Sequence, residues 1–128
     1  MFELTINEQV YPFNFGMGFM REINRKVKQP IDGLANVEKN IGLRYTLAGV
    51  IDGDLEDLVE VLDAANKGMK PRVTRDLLDS LIDNEETDID KLFEEVVDFL
   101  KNANATKKTM LALLEMAEKE RAKAEANQ

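Results

Sequence analysis

The hydrophobic period of this chain changes once, at Gly16, and that switch constrains the fold more than any other feature. Before it, Phe2, Leu4 and Ile6 alternate with Glu3 and Thr5, the two-residue period of a half-buried strand. Asn7-Glu8 is a turn candidate. A two-residue loop there sets Leu4 opposite Tyr11 and Phe2 opposite Phe13. The apolar residues of both strands then share one face, and Phe15 continues it. Glu8 stands where a tight primed turn favours Gly, and Pro12 removes a ladder donor, so Pro12 requires an edge position. A two-stranded hairpin is marginal alone, so its apolar face must pack on helices or on another chain.

Everything after Gly16 reads as helix. Met17, Met20, Ile23 and Val27 form a first stripe, with Phe19 beside it. Gln29-Pro30-Ile31-Asp32-Gly33 breaks the pattern, and residues 34–42 suit a short helix ending at Gly42. Leu43, Leu47, Val50 and Ile51 follow, stopped near Gly53. Asp54 is placed to cap a helix striped by Leu55, Leu58, Val59, Leu62 and Ala65, which Gly68 ends. A basic linker holds Lys67, Lys70, Pro71 and Arg72. Thr74 caps a helix carrying Leu77, Leu78, Leu81 and Ile82. Thr87 or Asp88 caps the clearest helix. There Ile89, Leu92, Phe93, Val96, Val97 and Leu100 fall at i, i+3, i+4, i+7, i+8 and i+11. Leu92 and Phe93 both read as core. Asn102–Thr106 is a turn, and a last helix carries Met110, Leu113, Leu114 and Ala117. Beyond Met116 only alanine accompanies polar and charged residues, so that end is expected to fray or stay solvated.

The predicted fold class is mainly α: a short N-terminal β-hairpin followed by about six helices. At 128 residues the length suits one domain. Residues 1–104 make the hairpin and helical body. Residues 105–128 add a C-terminal helix with a solvated tail to the same domain.

Two absences narrow the function. Without cysteine there are no disulfides, thiolate metal sites or cysteine nucleophiles. Without histidine there are no imidazole bases, Ser-His triads or imidazole ligands. An enzyme is therefore a remote reading, and no cofactor is expected. The net charge of −8 is concentrated. Residues 51–104 hold 16 acidic and 6 basic residues, net −10, and each flanking segment carries net +1. No basic face exists to displace counterions from nucleic acid or to meet an anionic membrane. Neither a signal peptide nor a membrane span is visible, so a soluble, intracellular protein is expected.

Local motifs do not build a chemical site. EF-hand registers starting at Asp52 or Asp83 lack the turn glycine, with Asp57 and Asp88 in its place. Asp79-Ser80-Leu81 matches the attachment serine of acyl carrier proteins in three letters only, and Ser80 falls mid-helix. Adjacent carboxylates such as Glu94-Glu95 point apart on a helix and form no acid–base dyad. Gly16-Met17-Gly18 lacks the third glycine of a dinucleotide turn. No catalytic and no metal-binding residue is assigned. Met17, Met20, Met110 and Met116 lie on predicted helices. Methionine fills irregular cores and also lines adaptable binding surfaces, which leaves apolar surface available for a partner.

Feature order carries a resemblance. FELTIN…VYPFNFG leads into GFMREINRKV, then LRYTLAGVIDGDLEDLVEVLDAANKG, PRVTRDLLDSLID and DIDKLFEEVVDFLKNAN. From Phe2 to about Asn104 this order resembles the tail assembly chaperones of long-tailed phages and prophages of Gram-positive bacteria. The entry to the first helix and the step Gly53–Leu58 carry it best. The resemblance implies a non-enzymatic protein that coats and solubilises the tape measure protein and helps recruit tail tube subunits. It also implies self-association into homo-oligomers, and residence in the host cytoplasm but not in the mature virion. Client contact is expected at Tyr11, Phe13, Met17, Met20, Met110, Leu111 and Leu114, with the hairpin face and first helix driving self-association. The competing reading is an acidic helical adaptor or DNA-mimic inhibitor, which requires a charged outer face and no open apolar groove.

Overall fold

A computed structural model of the chain describes residues 1–127. The hairpin forms as its period predicts, with β1 (Phe2–Ile6) antiparallel to β2 (Gln9–Phe13). Phe2 pairs with Phe13 and Leu4 with Tyr11. Asn7 and Glu8 take φ of 51° and 69°, so both turn residues are left-handed, as a type I′ turn demands. Glu8 accepts this conformation without being glycine. Hydrogen-bonded and non-hydrogen-bonded pairs alternate outward from Ile6 and Gln9. Pro12 opposite Glu3 therefore falls where no ladder donor is needed.

The first helix is shorter and turned differently from its predicted stripe. α1 spans Met17–Asn24 and buries Phe19 and Ile23, an i, i+4 pair. Met17 faces out, Met20 is half-buried, and Val27 lies beyond the helix. Residues 25–41 are not helical, which corrects the helix expected over 34–42. β3 (Lys28–Pro30) pairs with β4 (Glu38–Asn40) in a second hairpin whose strand residues are all exposed. Pro30 biases Gln29 away from helix. Gly33 and Asn36, at φ of 81° and 60°, bend the connection between the strands. Gly42 opens the next helix instead of closing one. A Cβ there would strike the backbone carbonyl of Ile23, so only glycine lets the end of α1 meet the start of α2.

α2 spans Gly42–Ile51, α3 Leu55–Asn66, α4 Arg75–Asp83, α5 Ile89–Asn102 and α6 Lys107–Ala126. The predicted caps hold. Asp54, Thr74 and Asp88 accept from the backbone N–H groups of Asp57, Leu77 and Lys91, at 3.0, 3.2 and 3.0 Å. α2 is the central element and packs on α1, α3, α5 and α6. α3 also touches β2 and α4. The core joins Leu47, Val50, Leu58, Leu62, Leu78, Val96, Leu100 and Met110.

Asn66 ties the hairpin to this core. It is fully buried. Its Nδ2 donates to the carbonyls of Pro12 and Pro71, at 2.9 and 3.1 Å. Its Oδ1 accepts from the Val73 N–H at 2.6 Å and from Arg72 at 2.9 Å. The Asn14 N–H adds a bond to the Ala65 carbonyl, 2.8 Å. The hairpin's apolar face therefore packs on the chain's own helices. Phe2, Ile6, Tyr11, Phe13 and Phe15 are all buried, and Phe2 meets Phe99 of α5 with ring centroids 4.9 Å apart. That corrects the expectation that this face drives self-association: it is already covered.

Candidate functional site

The apolar arc of α5 is wider than one helix contact can cover. Leu92, Val96 and Leu100, each four residues apart, enter the core. The neighbouring row of Ile89, Phe93 and Val97 stays half-buried and walls an open groove of about 600 Å³. Phe93 is thus a groove residue packed against the core, not a fully buried one. Leu114 and Arg121 of α6 form the opposite wall. Val50, Ile51, Gly53 and Leu55 close the groove from the α2–α3 turn.

Two local contacts hold the turns that join the groove-forming helices. Thr106 is buried at the α5–α6 turn, and its hydroxyl donates to the Leu100 carbonyl at 2.6 Å. This satisfies a carbonyl near the end of α5, in the last turn where in-helix donors run out. At the α2–α3 turn, Gly49 faces Asp57 so closely that a Cβ would overlap its carboxylate. Burial, reinforced by Asp54, Glu60 and Glu56, raises the Asp57 carboxyl above its ordinary pKa.

Charge divides the rim. Asp90 and Glu94, one turn apart on α5, line the groove and are exposed. Neither forms an ion pair among the described residues. Leu55, on the third side, is flanked by exposed Asp54 and Glu56. Arg121 is the cation among the lining residues. Several cations of the acidic segment and of the residues just after α1 are engaged elsewhere. Lys26 and Arg75 both bind Glu60, at 2.8 and 2.7 Å, and Arg72 binds Asp63 at 3.0 Å. Lys67 and Arg25 both reach Glu22. Burial pushes the Glu60 carboxyl up, but hydrogen bonds from Lys26 and Arg75 outweigh it and hold it below the ordinary range.

The residues expected to meet a client are scattered. Leu114 is in the groove. Leu111, 52% exposed, is open to solvent on α6. Met17, 47% exposed, and half-buried Met20 lie on α1. Tyr11, Phe13 and Met110 are 8%, 1% and 0% exposed and belong to the core. For these three the physical reason is shared: the hairpin and α6 each need their central apolar residues to attach to the body. The groove residues missed by that selection are Ile51, Leu55, Ile89, Phe93 and Val97. Their signal was present in the double row of α5, six apolar positions where three suffice for a single contact.

A smaller cleft of about 460 Å³ lies between Met1, Phe2, Phe15 and Phe99. Among the described residues no group of three or more acidic side chains is arranged to hold a metal ion. Among the described residues no helix is long and apolar enough to cross a membrane.

No curated protein and no solved structure matches the chain. The sequence model of one family, described as phage tail assembly chaperone protein, TAC, matches residues 3–114. That span runs from within β1 through the second hairpin and α1 to α5 into α6 as far as Leu114, leaving Arg121 outside it, and it covers most of the chain, so the chain belongs to the phage tail assembly chaperone family.

Proposed function

We propose that this chaperone binds the tape measure protein, keeps it soluble during tail assembly and helps recruit tail tube subunits. Family membership supplies the general role, a non-enzymatic assembly factor. The observation that supports the client is the open groove between α5, α6 and the α2–α3 turn. A long helical client exposes an apolar stripe at i, i+3, i+4 and i+7, and an apolar trough is the surface that receives one. Each groove covers a short stretch, so many copies along one client gain avidity without tight individual sites. Self-association along the client is part of this reading, as are action in the host cytoplasm, in phages or prophages of Gram-positive bacteria, and absence from the mature virion. The acidic exterior keeps the coated complex from aggregating.

The DNA-mimic alternative requires a charged outer face without an open apolar trough. Ile89, Phe93, Val97 and Leu114 supply such a trough, which favours the chaperone reading.

The test is co-expression with the tape measure protein. The client is expected in the soluble fraction, co-purifying with the chaperone. Phe93→Asp with Val97→Asp is expected to abolish capture while the helical circular dichroism remains. A client equally insoluble with and without the chaperone overturns the proposal.

A further inference from the structure

The groove's apolar floor specifies a helix, and its rim specifies more. Asp90 and Glu94 stand one turn apart on the α5 wall, exposed and outside any ion pair among the described residues. At i and i+4 they run parallel to the axis of α5. The α2–α3 turn adds exposed Asp52, Asp54 and Glu56 around Gly53 and Leu55. Among the described residues Arg121, on α6, is the one lining cation. Lys91, beside Asp90 in sequence, pairs with Glu95, which does not line the groove.

We propose that the groove selects amphipathic helices whose apolar stripe is flanked by lysine or arginine one turn apart, placed to meet Asp90 and Glu94. This rests on the client-binding reading above and names the class of client segment. Apolar contact alone would accept any greasy helix, including the chain's own α5. Two uncompensated carboxylates along one wall add a bias that apolar area cannot give. A basic flank gains two charge-assisted contacts, and an acidic flank meets like charge. The same rim discourages a second copy's acidic α5 from occupying the trough, which keeps it open for client.

The experiment uses the full chain and two designed amphipathic peptides, read by fluorescence anisotropy. They share one apolar stripe and differ only in flanks, lysine in one and glutamate in the other. The lysine peptide is expected to bind about tenfold more tightly at low salt, with the gap shrinking as salt rises. Because the whole chain is acidic, two variants separate the rim from net charge. Asp90→Asn with Glu94→Gln should bring the two peptides to within about twofold of each other. Glu85→Gln with Glu86→Gln removes the same charge from the exposed loop before α5 and should leave the preference intact. Equal loss in both variants, or equal affinity for both peptides, overturns the inference. Failure of both peptides to bind, with the tape measure protein still co-purifying, overturns the groove as the selective site and leaves the chaperone reading standing.

Discussion

Asn66 has no apolar period to announce it, yet it holds three segments together. Replacing it by alanine leaves the buried Val73 N–H without its partner and removes the bonds to the part-buried Pro12 and Pro71 carbonyls. Unsatisfied buried groups cost roughly 1–3 kcal/mol each before relaxation. Asn66→Ala is therefore expected to lower unfolding free energy by about 3 kcal/mol in urea titration. Glu8 offers the reverse. It sits at φ 69°, a conformation glycine adopts freely. Glu8→Gly should raise stability by about 1 kcal/mol. Titrating residues pull in opposite directions. Glu60 and Glu22 have folded pKa values lowered below the ordinary 4.5. Their contribution is complete above that value and is lost as pH falls through the lower folded values. Asp57 has a raised folded pKa, so its contribution is present below the ordinary 3.8 and is lost as pH rises through the folded value. Asp57→Asn should therefore raise the melting temperature at neutral pH. Glu60→Gln should flatten the acid limb of the stability profile.

Elements were legible where one period ruled them. The register of β1 and β2 followed from Phe2, Leu4, Tyr11 and Phe13, and the starts of α3, α4 and α5 from Asp54, Thr74 and Asp88. The second hairpin was not legible, because Lys28–Pro30 and Glu38–Asn40 carry no alternating apolar face to reveal it. Gly42 misled for a related reason: a glycine that admits another helix's backbone looks, in sequence, like one that stops a helix. The candidate site was half legible. Of the methionines and aromatics expected to meet a client, Tyr11, Phe13 and Met110 are in the core and Met17 is exposed on α1, whereas the groove is formed by surplus apolar positions on α5. This surplus makes a differential prediction. Leu92→Ala should cost about 2–5 kcal/mol as a core truncation. Phe93→Ala should cost clearly less in the same thermal or urea melts, because its ring is partly solvated already, while reducing client capture more.

At the scale of the molecule, the acidic segment 51–104 is both scaffold and surface. Its inner residues supply α3, α4 and α5 to the core, and its outer residues give the chain its negative field. A lone compact chain of this length has a radius of gyration near about 14 Å. Small-angle scattering across a concentration series is expected to show larger species than this, reflecting self-association. A constant value near the single-chain figure at every concentration would remove self-association from the functional reading and leave the groove untouched.

The excursion between α1 and α2 leaves and re-enters the body at one point, where the Ile41 N–H meets the Val27 carbonyl at 2.8 Å. Its strand residues are all exposed and pair with each other. Cutting it back to a tight loop, or grafting an epitope or fluorophore at Gly33, should leave the rest of the architecture unmoved. A probe set at that tip would report on neighbours without disturbing the trough.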